Sequence, residues 1–201
     1  MRTLYYVPTV HTCYESQESA ELPGLETQEG LSQVHEAVHI GVCWNRARAA
    51  LDKALKGTRR PLMMFADGLP YPKGKLARPA VVSALATPTT WTFRYYSAKG
   101  AQLNGTENPR MLRKHNRYLR EVHNNKRCAD RRFERELIRE RDRAIARRIA
   151  ATLRNGQTGV LFMGGCHRVW RYLKRIAPDI RIRFVRSFDD LIPLREQAWN
   201  R

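Results

Sequence analysis

Gly159-Val-Leu-Phe-Met-Gly-Gly-Cys-His167 decides how this chain is read. Val160 to Met163 is an unbroken apolar run, as a strand buried on both faces requires, and two glycines follow it before a histidine arrives. Open α/β sheets place their chemistry at the carboxyl ends of such strands. At the other end of the sequence Thr3-Leu-Tyr-Tyr-Val7 reads as a second strand and Pro8-Thr9-Val10-His11 as the loop leaving it. Two strand-end histidines, His11 and His167, suggest one site.

Working outward, a helical pattern from Ser32 to about Lys56 closes at Gly57, and Pro61-Leu-Met-Met-Phe-Ala66 reads as the next strand. Strand, helix, strand is a βαβ unit, which puts both carboxyl ends on one edge and sets Asp67 just past its strand. Residues 70–100 read as an irregular insertion punctuated by prolines, with Trp91, Phe93 and Tyr95 alternating as though on one strand face. A short strand around Ala101-Gln-Leu103 runs into Gly105-Thr106-Glu107, and Asn108-Pro109 is a helix start, which makes Glu107 another acid at a strand-to-helix junction.

A long basic helical segment then spans 109–154, broken at Asn124-Asn125, with its second helix from about Asp130 to Leu153. Ile138, Ile145, Ile149 and Leu153 form the apolar stripe of that helix. Helical spacing places Asp142 within the stripe and Arg141 at its margin, and charged groups turned toward a core need a partner. A helix from about Val169 to Ile176, an edge strand Ile180–Phe184 and a Ser187-capped helix complete the reading.

With 201 residues and 42% hydrophobic content, the chain suits one α/β domain over 1–201, a predominantly parallel sheet flanked by helices. It shows no signal-peptide pattern and no apolar run of membrane-spanning length, so a cytoplasmic address is expected. Cys13, Cys43, Cys128 and Cys166 are scattered, as reduced thiols would be. The net charge of +18 attracts nucleic acid or other polyanions without naming one. Much of it lies between Arg110 and Arg154, interleaved with acids as on a solvated helix laced with i,i+4 pairs.

The topology gathers His11, Asp67, Glu107 and His167 at one sheet edge, with Arg141 and Asp142 reaching it from a helix. Two imidazoles and a carboxylate form the ligand set of an open catalytic metal site, which suits a divalent ion and a bound water that ionises near neutral pH. Without metal, the same groups are a histidine base, an orienting carboxylate, and an arginine for developing negative charge.

At these residues the chain resembles the TraB/Tiki/GumN group within the erythromycin esterase and ChaN superfamily. His11 follows the first strand, an acid follows the second, Glu140-Arg141-Asp142-Arg143-Ala144-Ile145-Ala146 matches the family's Glu-Arg-Asn/Asp helix, and Gly164-Gly-Cys-His167 matches its second GxxH. The first GxxH is degraded, because Pro8 replaces the glycine, and Asp67 stands in place of a glutamate. The resemblance covers about residues 1–11, 61–69 and 134–170. It implies an α/β fold with paired histidines in a cleft, and a family whose members are variously metal-dependent proteases, metal-independent esterases and haem binders. Haem enters through the resemblance alone.

Rival readings remain. His35-Glu36-Ala37-Val38-His39 is a literal HExxH on a helix, the pattern of a zinc metalloprotease, although Asp52 is a poor third ligand and the helix is a crossover packed on the sheet. Cys166 could serve as a nucleophile, or join Cys13, His11 and His167 in a structural zinc site, but neither spacing is usual. The expected function is metal-assisted hydrolysis of a small molecule or peptide by His11, Asp67, His167 and Arg141. Its alternative is a non-catalytic basic module that binds nucleic acid or another polyanion.

Overall fold

A computed structural model describes residues 1–9, 42, 44–58, 62–70, 88–164 and 166–185. Five parallel strands make its sheet: β1 (Arg2–Thr9), β2 (Leu62–Pro70), β3 (Gln102–Glu107), β4 (Thr158–Gly164) and β5 (Ile180–Phe184). They lie in the order β3-β2-β4-β1-β5. The described helices are α1 (44–54), α2 (Pro88–Ala98), α3 (Pro109–His123), α4 (Arg131–Thr152) and α5 (Val169–Ile176). The fold is single-domain α/β.

Alternation along the strands divides the core into two. Tyr5, Val7, Met64, Ala66, Val160 and Phe162 meet Trp44, Ala47 and Leu51 of α1 and Phe93 and Tyr96 of α2. On the opposite face Leu4, Tyr6, Met63, Phe65, Leu161 and Met163 meet Ile145, Ala146 and Ile149 of α4 and Val169 and Leu173 of α5. Helices on the way out to β3 therefore cover one face and those on the return cover the other. A sheet wound this way opens a crevice at its carboxyl edge where neighbouring chains part to opposite faces.

That parting occurs around β4. Thr9 of β1 is level with Gly164, and Ala66 of β2 with Phe162, so β1 and β4 end side by side and β2 pairs with β4 almost as far. Beyond Ala66 the register between β2 and β3 slips, with Pro70 rather than Asp67 or Gly68 opposite Glu107. The Thr106 hydroxyl donates to the Ala66 carbonyl at 2.6 Å there, satisfying an acceptor where the ladder breaks.

Most element boundaries follow the chemistry at their ends. Asn108 caps α3 by accepting from the Arg110 amide, and Asp130 caps α4 by accepting from Arg132 and Phe133. The Phe133 amide is the main reason the Asp130 carboxyl sits below the usual aspartate range. Gly57 after α1 and Gly156 after α4 adopt positive φ, as helix-terminating residues do.

Two expectations change. The alternating aromatics at Trp91, Phe93 and Tyr95 belong to helix α2 and not to a strand. Parallel neighbours β2 and β3 need a crossover, and Phe93 and Tyr96, three residues apart, put one helical face on the sheet. Tyr95 and Tyr96 then donate to the two carboxylate oxygens of Asp52 on α1, at 2.8 and 3.0 Å. Burial first, and then the Asp52 bond, raise the Tyr96 phenol well above its usual range. Asp67 is the second change: β2 runs on to Pro70, so this residue lies inside the strand, where the register slips, rather than just past its end.

Gly159 sits where a side chain has no room. A Cβ there would lie 2.8 Å from Leu4 Cδ1 and 3.2 Å from both Leu153 Cδ1 and Phe65 Cε2. All three neighbours are essentially fully buried. Gly159→Ala should therefore cost about 1–3 kcal/mol by overpacking, measured as a lower urea midpoint. An unchanged midpoint would mean that the sheet centre yields more easily than its packing implies.

Candidate functional site

Two buried polar clusters stand at the carboxyl edge, both anchored by α4. The stripe Leu137, Ile138, Ile145, Ile149 faces the interior, and helical geometry carries Arg141 and Asp142 inward with it, at 6% and 2% exposure. Charges so buried require partners, and each finds them on a strand end or its following loop.

Arg141 turns toward β3. Its Nη2 donates to Glu107 Oε1 at 2.5 Å and its Nε to Oε2 at 3.3 Å, a two-pronged pair with the last residue of that strand. Nη1 meets His115 Nδ1 of α3 at 2.6 Å. A guanidinium only donates, so His115 Nδ1 must accept, and the neutral ring carries its proton on Nε2. Glu107, Arg141 and His115 thus tie β3, α4 and α3 together below solvent.

Asp142 turns toward β4. Its Oδ1 lies 2.5 Å from His167 Nδ1, and its Oδ2 accepts the Arg168 amide at 2.6 Å. The second bond places a carboxylate at the N-terminus of α5, where no side chain of the cap residue itself does the capping. With the carboxylate ionised, His167 Nδ1 carries the proton, and Nε2 holds the lone pair in the neutral ring. The backbone of His167 is pinned as well. Its amide donates to Gly164 O at 3.0 Å, and its carbonyl accepts from the Tyr6 hydroxyl of β1 at 3.2 Å.

Of the residues expected to form the site, Glu107, Arg141, Asp142 and His167 come together at this edge. Asp67 contributes its backbone position on the intervening strand β2. His11, and the HExxH residues His35, Glu36 and His39, lie outside the described residues, as do Cys13 and Ser187. Cys166 is exposed. Among the described residues, no group of three His, Cys, Asp or Glu side chains could hold a metal ion. Glu107 is spent on Arg141, which also holds His115, so the guanidinium positions neighbours rather than facing a substrate anion.

Sequence reasoning missed His115 and Tyr6. His115 carried a signal: with Met111, Tyr118 and Val122 it falls at helical spacing on the inward face of α3. Tyr6 read simply as a strand residue.

The chain matches no family model, no curated protein and no solved structure. No described helix is long and apolar enough to cross a membrane.

Proposed function

We propose that the carboxyl edge is a hydrolytic site in which His167 is the general base and Asp142 its orienting carboxylate. The observation that carries this reading is the buried 2.5 Å contact between His167 Nδ1 and Asp142 Oδ1. A ring held in that tautomer has Nε2 unprotonated, the form that takes a proton from water as the water attacks an acyl carbonyl and then returns it to the leaving group. The substrate class is a small-molecule or peptide ester or amide. Arg141 acts one step back, keeping Glu107 and His115 in place beneath the edge.

The resemblance to the TraB/ChaN group adds His11 as a second imidazole. Its place in the chain, two residues past Thr9, supports this, since Thr9 is level with Gly164 at the end of the neighbouring strand. A divalent ion is compatible with His167, because an imidazole whose Nδ1 is fixed by a carboxylate is the usual form of a metal-ligating histidine. His11 and Asp67 would complete that ligand set, and the ion would supply a water that ionises near neutral pH.

The test is hydrolysis of a panel of chromogenic esters and peptide amides by the purified chain, with and without a chelator. His167→Ala should lower kcat by about 10²–10⁴-fold, while the His35→Ala, His39→Ala double variant keeps its activity. Chelator sensitivity shared with His11→Ala would favour the metal form. Activity that survives His167→Ala and disappears with the helix pair would establish the HExxH reading instead.

A further inference from the structure

Between Arg143 and Pro178 the chain carries eight Lys and Arg residues and not one Asp or Glu. Elsewhere acids lie among the cations and pair with some of them. Glu121 lies beside Arg117 and Arg127, Glu136 beside Arg132, Glu140 beside Lys114, and Asp179 beside Arg2. Of the i,i+4 pairs expected along the basic segment, Arg117–Glu121 forms on α3 and Arg132–Glu136 on the first half of α4, and α4 beyond Asp142 has no acid to form one.

The second half of α4 and the neighbouring α5 make a two-sided basic face. Arg139, Arg143 and Arg147 stand one helical turn apart on the exposed side of α4, and Arg171, Lys174 and Arg175 are exposed on α5, which packs beside it. None of the six forms an ion pair among the described residues. Like charges one turn apart repel each other, so these rows carry a local electrostatic cost that a bound anion would relieve. Two half-exposed aromatic rings lie among them: Tyr172 with the Arg143 guanidinium 5.6 Å from its centre, and Trp170 with Arg171 and Lys174 each at 5.2 Å.

We infer that the α4–α5 face binds the phosphate backbone of a nucleic acid. Repeated cations at intervals of about 6 Å along a helix suit a polymer of regularly spaced single charges. Half-exposed rings interleaved with cations are the usual companions of such a groove, because a base can stack where a side chain shifts aside. An anionic membrane is the weaker match, since it calls for a continuous exposed apolar face beside the charges, and here the half-covered rings and the exposed Ile176 are interrupted along α5 by Arg171, Lys174 and Arg175. This surface is separate from the His167–Asp142 pair, so either assignment can fail without the other.

The experiment is fluorescence anisotropy with a labelled single-stranded RNA about 20 nucleotides long and a duplex DNA of the same length, which distinguish the two sources of phosphate backbone. The full chain should bind at least one of them, with an affinity that drops on the order of 10²-fold between about 50 and 200 mM salt. Combining Arg143→Gln, Arg147→Gln, Arg171→Gln and Arg175→Gln should weaken binding at least about tenfold and flatten the salt dependence. A charge-matched control with Arg110→Gln, Arg113→Gln, Arg117→Gln and Arg120→Gln on α3 should leave affinity within about threefold. If the fourfold variant fails to fold, Arg143→Gln with Arg171→Gln should show the same trend at half the size. Equal losses in the two sets would reduce the effect to net charge and overturn the assignment. So would a wild-type chain that binds neither oligonucleotide, or one whose α4–α5 variant loses only its binding to phosphatidylserine vesicles.

Discussion

The Asp142→Asn protein should fold normally and hydrolyse its best ester substrate on the order of 10⁴-fold more slowly, the scale of loss when the carboxylate that orients a catalytic histidine is neutralised. The geometry says why so small a change acts so strongly. Asp142 Oδ2 accepts the Arg168 amide at 2.6 Å, and that donor still needs an oxygen after the substitution. The asparagine carbonyl will serve it, which leaves the amide NH₂ facing His167 Nδ1. The ring must then accept there and move its proton to Nε2, the nitrogen that the proposed mechanism needs unprotonated. KM should change little, because both carboxylate oxygens of Asp142 are engaged within the protein, one by His167 and one by the Arg168 amide. A variant with wild-type kcat would remove Asp142 from the mechanism.

Arg141→Ala should destabilise the fold by about 3–5 kcal/mol, since it strips the buried Glu107 carboxylate of its two-pronged guanidinium partner. Glu107 is fully buried and Arg141 is 6% exposed, so solvent does little to soften the loss. Arg141→Lys should recover only part of it, because a single ammonium cannot reproduce the two-pronged contact and also reach His115. Removing both charges, with Arg141→Met and Glu107→Leu together, should cost much less than Arg141→Ala alone. Urea unfolding with an unchanged m-value reads all three. If Arg141→Ala lies within about 0.5 kcal/mol of wild type, the pair is not the buried anchor described here.

The difference between what could and could not be read in the sequence tracks the range of the interactions involved. Strands β1 and β4 were legible because a doubly covered strand must be apolar throughout, and helix α4 because its stripe repeats at 3.6 residues with an aspartate at its head. The same periodicity placed Arg141 and Asp142 inward. It could not say that Arg141 would find Glu107, 34 residues away, or that Asp142 would find His167, 25 residues away. Those pairings depend on strand order, and β4 enters the sheet between β1 and β2 only after the chain has travelled out to β3 and back. Residues 88–98 were misread because three aromatics at alternate positions satisfy the strand period, while the demand for a crossover helix comes from the parallel pairing of β2 and β3. His115 was passed over because a histidine among arginines resembles one more exposed basic residue. Its role emerges only once Arg141 is seen to need a second acceptor.

The protonation of His167 tests the proposed site most directly, and it needs no substrate. Long-range proton–nitrogen correlation NMR on isotope-labelled protein, at a pH where the ring is neutral, distinguishes the two tautomers. The Asp142 contact predicts a proton on Nδ1 and an unprotonated Nε2 in the wild type, with the reverse in Asp142→Asn. A wild-type ring protonated on Nε2, or one that averages between tautomers, would contradict it.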